Sequence, residues 1–400
     1  MVGWLCLSAA AWRAPLPHPC SQRSAGRSAP PLLTHPSAAD HPALSSVEQL
    51  VDQYDAFLLD QFGVIHDGKR AYPGAVDAVS LLQRSGKKVV IISNSSRRKG
   101  DTIKRLLSMG FGPCEAEGSG SGSGSIGSKQ DEKVPISVVT SGDLVWQGLR
   151  DERARQPFED LGIRCFVFGN GEDDEEYVHS CGKVPSPISQ ADFILARGLF
   201  SMLGAGPDLL TKPAIDYTPD REAAALQAAM MRRPGGLPLL VANPDEARSS
   251  SLPCRCEAGW EGFADAWAIG KALPRDGGSR HPVRLAVASI YAKKCSLGFL
   301  VGKPYPLVYE ACNAALRNAN VPADARVAAV GDSLHHDVLG AAKAGVDSVF
   351  VCGGVHYQAL RVPQAEAVAP DPGCLAALLD EFAASSNGVR PTHSVAGFVL

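Results

Sequence analysis

The segment AFLLDQFGVIHDG, from Ala56 to Gly68, constrains the fold of this chain more than any other. Ala56 to Leu59 are an unbroken apolar run that stops at Asp60, the pattern of a strand covered on both faces. In an open α/β sheet ligands bind beyond the carboxyl ends of the strands, so Asp60 is expected at the rim of a crevice, with Gly63 letting the chain turn behind it. A nucleophile or a metal ligand fits that place. A helix cap or turn former fits it too, and the segment alone does not separate the two.

Three later stretches repeat the pattern. Lys88 to Ser93 (KVVIIS) reads as a second strand, reached through a helix with Ala75, Val79 and Leu82 on one face and Gly86 at its end. A right-handed crossover then brings Asp60 and Ser93 to the same rim. Gly302, Lys303 and Pro304 open a helix in which Val308, Ala311, Cys312, Ala315 and Leu316 recur at helical spacing. VGDSLHHD, Val330 to Asp337, ends a third strand with two acids, Asp332 and Asp337. Taken singly, Ser93 is a helix cap, Lys303 a surface residue in a turn, and the two acids caps at a helix start.

An Asp, a hydroxyl, a Lys and an acid pair in this order resemble the four motifs of the haloacid dehalogenase superfamily. The resemblance is closest to the class IIA branch, whose α/β cap is inserted between the second and third motifs, and it runs from about Tyr54 to Val355. It implies an α/β fold: a doubly wound, mostly parallel, Rossmann-like core sheet with an inserted smaller α/β cap domain. It also implies a hydrolase acting on a small phosphorylated metabolite, with Asp60 as nucleophile. Ser93 with Asn94 and nearby N–H groups would bind the phosphoryl oxygens, as would Lys303. Mg²⁺ would be held by Asp60, the Phe62 backbone carbonyl and Asp332, with Asp337 binding or orienting a ligand water.

Phe62 departs from the pattern. Phosphatases of the superfamily usually carry a general-acid Asp at this position, and Phe transfers no proton, a contribution worth about 10²- to 10⁴-fold in rate. Three readings follow: a phosphatase whose leaving group departs readily or whose acid is replaced by His66, His335 or His336; a catalytically weak binding or regulatory protein on the same fold; or C–P or C–halogen cleavage on the same scaffold.

The domain reading is a core over residues 46–112 and 301–386 with a cap over 113–300. The cap contains a low-complexity loop, residues 115–133. Within the cap, Ile136–Val139, Cys165–Phe168, Phe193–Leu195 and Leu237–Ala242 read as strands, with helical patterns at Leu144–Glu152 and Arg221–Met231. VANPD, Val241 to Asp245, is similar to the TNPD signature of the branch; Asn243 and Asp245 either reach substrate as the cap closes or form an Asx turn. Residues 247–281, with Cys254, Cys256, Trp260 and Trp267, match no period. Residues 387–400 read as a tail without pattern.

The formal net charge of −3 gives no argument for nucleic acid or an anionic membrane, and no segment after the N-terminus has the apolar length of a bilayer span. Eleven cysteines, scattered apart from Cys254 and Cys256, argue against a zinc site or a disulfide framework. Residues 1–45, rich in Ser, Ala and Pro with Asp40 as the one acid, read as an organelle transit peptide, plastid before mitochondrion; without one the protein is cytoplasmic. The oligomeric state stays open, with the cap as the surface on which a homo-oligomer would form.

Overall fold

A computed structural model describes residues 43–44, 46–113, 135–151, 157–159, 161–169, 173–198, 201–203, 237–243, 298–364 and 366–400. The Gly-Ser tract, the helix expected over Arg221–Met231, Asp245 and the segment with Cys254, Cys256, Trp260 and Trp267 lie outside these residues.

The first part of the chain runs β1 (Ala43–Leu44), α1 (Glu48–Val51), β2 (Ala56–Leu59), α2 (Ala75–Arg84), β3 (Lys88–Ser93), α3 (Lys99–Ser108) and β4 (Ser137–Thr140). After this come α4 (Ser141–Arg150), β5 (Arg164–Gly169), α5 (Asp174–Ser180), β6 (Val184–Pro185), β7 (Phe193–Ala196), β8 (Ser201–Leu203), β9 (Leu239–Val241) and β10 (Gly298–Leu300). The chain continues with α6 (Pro306–Asn318), β11 (Val327–Gly331), a π-helical turn over Leu334–Val338, α7 (Leu339–Ala344), β12 (Asp347–Val351), α8 (Tyr357–Leu360), α9 (Pro372–Ser385) and β13 (His393–Val395).

Two sheets result. The core sheet has the order β1-β13-β12-β11-β2-β3-β4 with every neighbouring pair parallel. A second sheet has the order β10-β9-β7-β5-β6, also parallel, with β8 antiparallel to β5. This is an α/β fold of the expected kind.

Side-chain alternation explains why the central strands are apolar throughout. Phe57, Leu59, Val89 and Ile91 meet Leu50, Val79, Leu82 and Leu106 of α1 to α3 on one face. Leu58, Val90 and Ile92 meet Val308, Cys312 and Leu316 of α6 on the other. Covered on both sides, β2 and β3 are fully buried, which leaves only their carboxyl ends for chemistry.

Three boundaries differ from the sequence reading. Ser137–Thr140 pairs with β3 and closes one edge of the core sheet, so residues 137–140 belong to the core and not to the cap. The cap packs from α4 onward, where Val145, Trp146 and Leu149 join Val167, Phe193, Leu195 and Leu240 in one cluster. At the other edge, β13 adds to β12 and β1 to β13, so residues 387–400 are not a loose tail and residues 43–44 are part of the fold. Strands of two and three residues carry too few apolar positions to show a period, and their pairing is supplied by a distant part of the chain. Phe398 and Val395 are buried in the main cluster, and the Val47 N–H donates to the Val399 carbonyl at 3.0 Å.

The described cysteines, Cys165, Cys181, Cys312, Cys352 and Cys374, are free thiols. Among the described residues no helix is long and apolar enough to cross a membrane.

Because Phe398 is fully enclosed, Phe398→Ala is expected to cost about 3–5 kcal/mol in urea unfolding. An unchanged midpoint would show that the C-terminal segment contributes nothing to the core.

Candidate active site

The register of the core sheet gathers the motif residues. Leu59 pairs with Val330 on one side and Ile91 on the other, and the Asp60 N–H donates to the Val330 carbonyl at 2.9 Å. Asp60, Ser93 and Asp332 therefore leave the carboxyl ends of β2, β3 and β11 side by side. Lys303 comes from the chain leaving the second sheet, just before α6.

At the centre is one ammonium between two carboxylates. Lys303 Nζ lies 2.8 Å from Asp60 Oδ1 and 2.7 Å from Asp337 Oδ1. Asp332 completes the group: one carboxylate oxygen from each of the three acids lies within 4.8 Å of the others. All four side chains are buried, Asp60 being the most open at 9% exposure. Burial, with the charges of Asp60 and Asp337 close by, pushes the Asp332 carboxyl well above its ordinary range. One ammonium does not balance three carboxylates. The hard oxygen donors, the excess negative charge and the strained ionisation of Asp332 all fit a small divalent cation.

Glycines make this proximity possible. A Cβ on Gly63, which also has a left-handed φ of +80°, would lie 1.8 Å from Asp332 Oδ2. One on Gly354 would lie 2.1 Å from the same oxygen, and one on Gly331 would lie 2.0 Å from Asp337 Cγ. Backbone N–H groups then fix the acids: Val355 donates to Asp332 Oδ2 at 2.9 Å, and Ser333 to Asp337 Oδ2 at 3.1 Å. Gly354 and Val355, beyond β12, are site residues that the sequence reading missed. Their signal was the Gly-Gly pair at Gly353 and Gly354, placed directly after a buried strand.

Asn94 is bound through its carboxamide to the backbone of Lys303. Its Oδ1 accepts from the Lys303 N–H at 2.6 Å, and its Nδ2 donates to the Lys303 carbonyl at 3.1 Å. The carboxamide therefore grips the backbone that carries the ammonium and positions Lys303. Ser93 Oγ is buried and accepts from the Ser95 N–H at 3.2 Å. Asn243, half-buried, follows β9 in the second sheet. Arg98 does not face the cluster: it pairs with Asp143 at 2.9 Å and lies 3.5 Å over the Trp146 ring.

Of the histidines offered as replacement acids, His66 is poorly suited to that work. His66 is fully buried, its Nδ1 accepts from the Gly68 N–H at 3.0 Å, and its other nitrogen lies 3.3 Å from Gln61 Oε1. The ring is thus neutral with its proton on Nε2, and burial lowers its pKa to about 4. It braces the turn after Asp60, edge-on to Phe62 at 4.8 Å. His335 packs against Phe382 of α9 at 5.2 Å. His336 lies within the turn that Ser333 caps, its N–H donating to Ser333 Oγ at 3.2 Å.

A lowered histidine pKa fixes the sign of a pH effect. Between pH 6.5 and about 4 the unfolded chain protonates at His66 while the folded chain does not, so the contribution of this ring to stability falls as pH falls through that window. The stability gap between wild type and His66→Gln in urea is expected to shrink from pH 7 towards about pH 4. A constant gap would mean that the ring titrates alike in the folded and unfolded chain, so that burial does not lower its pKa.

Comparisons agree with this geometry. A family model described as haloacid dehalogenase-like hydrolase matches residues 57–183, and one described as HAD-hydrolase-like matches residues 300–377. A solved haloacid dehalogenase-like hydrolase from Brucella suis 1330 superposes with a TM-score of 0.55 at 20% identity, covering 89% of this chain and all of that one, so the folds agree. Among curated proteins, 4-nitrophenylphosphatase of Schizosaccharomyces pombe is 34% identical over 55 residues, 14% of this chain and 18% of that protein. Chronophin of Mus musculus is 32% identical over 139 residues, 32% of this chain and 48% of that protein. The chain thus spans less than half the length of these curated relatives. With both halves of the core matched, the chain belongs to the haloacid dehalogenase-like hydrolases.

Proposed function

We propose that this protein is a Mg²⁺-dependent phosphatase of a small phosphorylated metabolite, acting through an aspartyl-phosphate on Asp60. The observation that carries the reading is Lys303 Nζ held between Asp60 and Asp337 at 2.8 and 2.7 Å, with Asp332 alongside. The name of the Schizosaccharomyces pombe relative, 4-nitrophenylphosphatase, supports it.

Asp60 is a carboxylate at the crevice rim, ion-paired and hydrogen-bonded by the Gln61 N–H at 2.8 Å on Oδ1. That bond and Lys303 both hold Oδ1 and fix the carboxylate in place for attack on phosphorus. Attack breaks the P–O bond to the leaving group and transfers the phosphoryl to Asp60; water then hydrolyses the acyl phosphate. Ser93, whose oxygen already accepts from Ser95, turns its hydroxyl proton to a phosphoryl oxygen, and Lys303 neutralises a second. Mg²⁺ would be held by Asp60, Asp332 and the Phe62 carbonyl, with Asp337 on a ligand water, and it supplies charge neutralisation at the transferring group.

Phe62 sets the preference among substrates. With no proton donor at this position and His66 neutral and braced, a leaving group that departs as an anion is favoured over an alkoxide. Weak turnover of ordinary alkyl phosphates follows, which is the sense in which the regulatory reading retains weight.

Steady-state phosphate release from an aryl phosphate is expected to need Mg²⁺, to stop in EDTA and to fall about 10³-fold or more in Asp60→Asn. Release that survives the substitution would refute the assignment. Phe62→Asp is expected to raise turnover of an alkyl phosphate by about 10²-fold or more while changing the aryl phosphate less. Equal effects on both substrates would show that the position does not govern proton transfer.

A further inference from the structure

Arg197, immediately after β7, is one of the largest fully buried side chains in the protein, with no exposed surface. Its backbone N–H still donates to the Phe168 carbonyl at 2.7 Å, so the residue is fixed to the second sheet. Nη1 lies 2.6 Å from Asp174 Oδ1, Nη2 lies 2.9 Å from Asp173 Oδ2, and the guanidinium carbon sits 3.6 Å over the Tyr177 ring. Both acids and the ring lie at the start of α5. A close contact at Gly169, where a Cβ would be 1.9 Å from Asp174, presses this acid into place.

Nη2 has a further acceptor, the Ser96 carbonyl at 3.3 Å. Ser96 lies in the loop that follows Ser93, on the core side. The neighbouring carbonyls of this loop are held as well. Ser95 accepts from the Gly142 N–H at 2.9 Å and from Ser141 Oγ at 3.2 Å, and Arg97 accepts from Thr140 Oγ1 at 2.8 Å. A Cβ on Gly142 would lie 2.1 Å from the Ser96 carbonyl, so the loop and the start of α4 are in direct backbone contact.

In a trans peptide the carbonyl and the next N–H point to opposite sides. Fixing the carbonyls of Ser95, Ser96 and Arg97 therefore fixes the N–H groups of Ser96, Arg97 and Arg98, and with them the path of the loop that carries Ser93. Thr140 holds it from the core edge, and Ser141 and Gly142 hold it from the start of α4. Arg197 holds it from the second sheet. A buried Arg with two acids is a weak stability device, since an apolar replacement of the same volume is often as good. A planar fork that reaches two carboxylates and a third acceptor on another sheet is what Arg does and Lys does not.

We propose that Arg197 is a positioning residue for phosphoryl binding: from the cap, it sets the backbone of the loop after Ser93, so that oxyanion affinity depends on the docking of the cap through this guanidinium. The proposal rests on the phosphatase reading.

Orthovanadate binding with Mg²⁺ present, measured by calorimetry on the full chain, separates the two ideas. If wild type binds no orthovanadate, the phosphatase reading fails and the inference falls with it. With wild type binding, Arg197→Lys is expected to raise the vanadate Kd about tenfold at unchanged stoichiometry, the loss of one charge-assisted hydrogen bond, and to raise KM for an aryl phosphate more than it lowers kcat. A Kd within twofold of wild type would overturn the inference even if the melting temperature drops, since a purely structural role lowers the folded fraction and not its affinity. Should Arg197→Lys fail to fold, Asp173→Asn decides on the same readout, because Asp173, 26% exposed at its side chain, pairs with the same nitrogen that reaches Ser96. A threefold or larger rise in Kd supports the role of Arg197, and an unchanged Kd refutes it.

Discussion

Three carboxylates that share a single buried ammonium form the constraint on which this structure depends. Among the described residues Lys303 pairs directly with Asp60 and Asp337, and burial with those two charges close by makes the carboxyl of Asp332 resist ionisation. Such a cluster is unfavourable to fold around, because buried like charges repel and lose hydration. The chain accepts this at the one place where a parallel sheet opens, beyond the ends of β2 and β11, and fits it together with glycines at positions 63, 331 and 354. Negative charge held ready in a cleft is a suitable receptor for a divalent ion, and through it for a phosphoryl group.

The rest of the architecture keeps those groups in register. Helices on both faces of the core sheet leave β2 and β3 no freedom, so Asp60 and Ser93 stay side by side. Asn94 extends this order across 209 residues of sequence by binding the Lys303 backbone through both ends of its amide. The second sheet then reaches back through Arg197 to the loop after Ser93. Sheet, amide clamp and guanidinium act on the same few atoms from three directions.

Much of this was readable from residue order. The unbroken apolar runs at Ala56–Leu59 and Lys88–Ser93 identify buried strands, because only a strand covered on both faces can be apolar at every position. Asp60, Ser93, Lys303, Asp332 and Asp337 each end a strand or open a helix where a ligand site belongs. Singly each reads as a cap or turn residue, and it was their order as a set, resembling the motifs of the superfamily, that singled them out. The clamp of Asn94 on Lys303 was not legible, because the partner lies far along the chain and leaves no local trace. His66 was a candidate acid for its ordinary pKa, which burial removes. Ser137–Thr140 was assigned to the cap because it follows the Gly-Ser tract, yet its partner is β3. The partners of Arg197 are likewise set by the meeting of two sheets, which no periodicity records.

The central claim is that Asp60 becomes phosphorylated. The most direct test is acid quench of wild type, mixed with an aryl phosphate and Mg²⁺ on the millisecond scale, followed by peptide mass spectrometry. The account predicts a phosphoryl adduct on the peptide containing Asp60, at an acid-stable and base-labile linkage. Turnover with no adduct at any quench time, or an adduct on another residue, would contradict it.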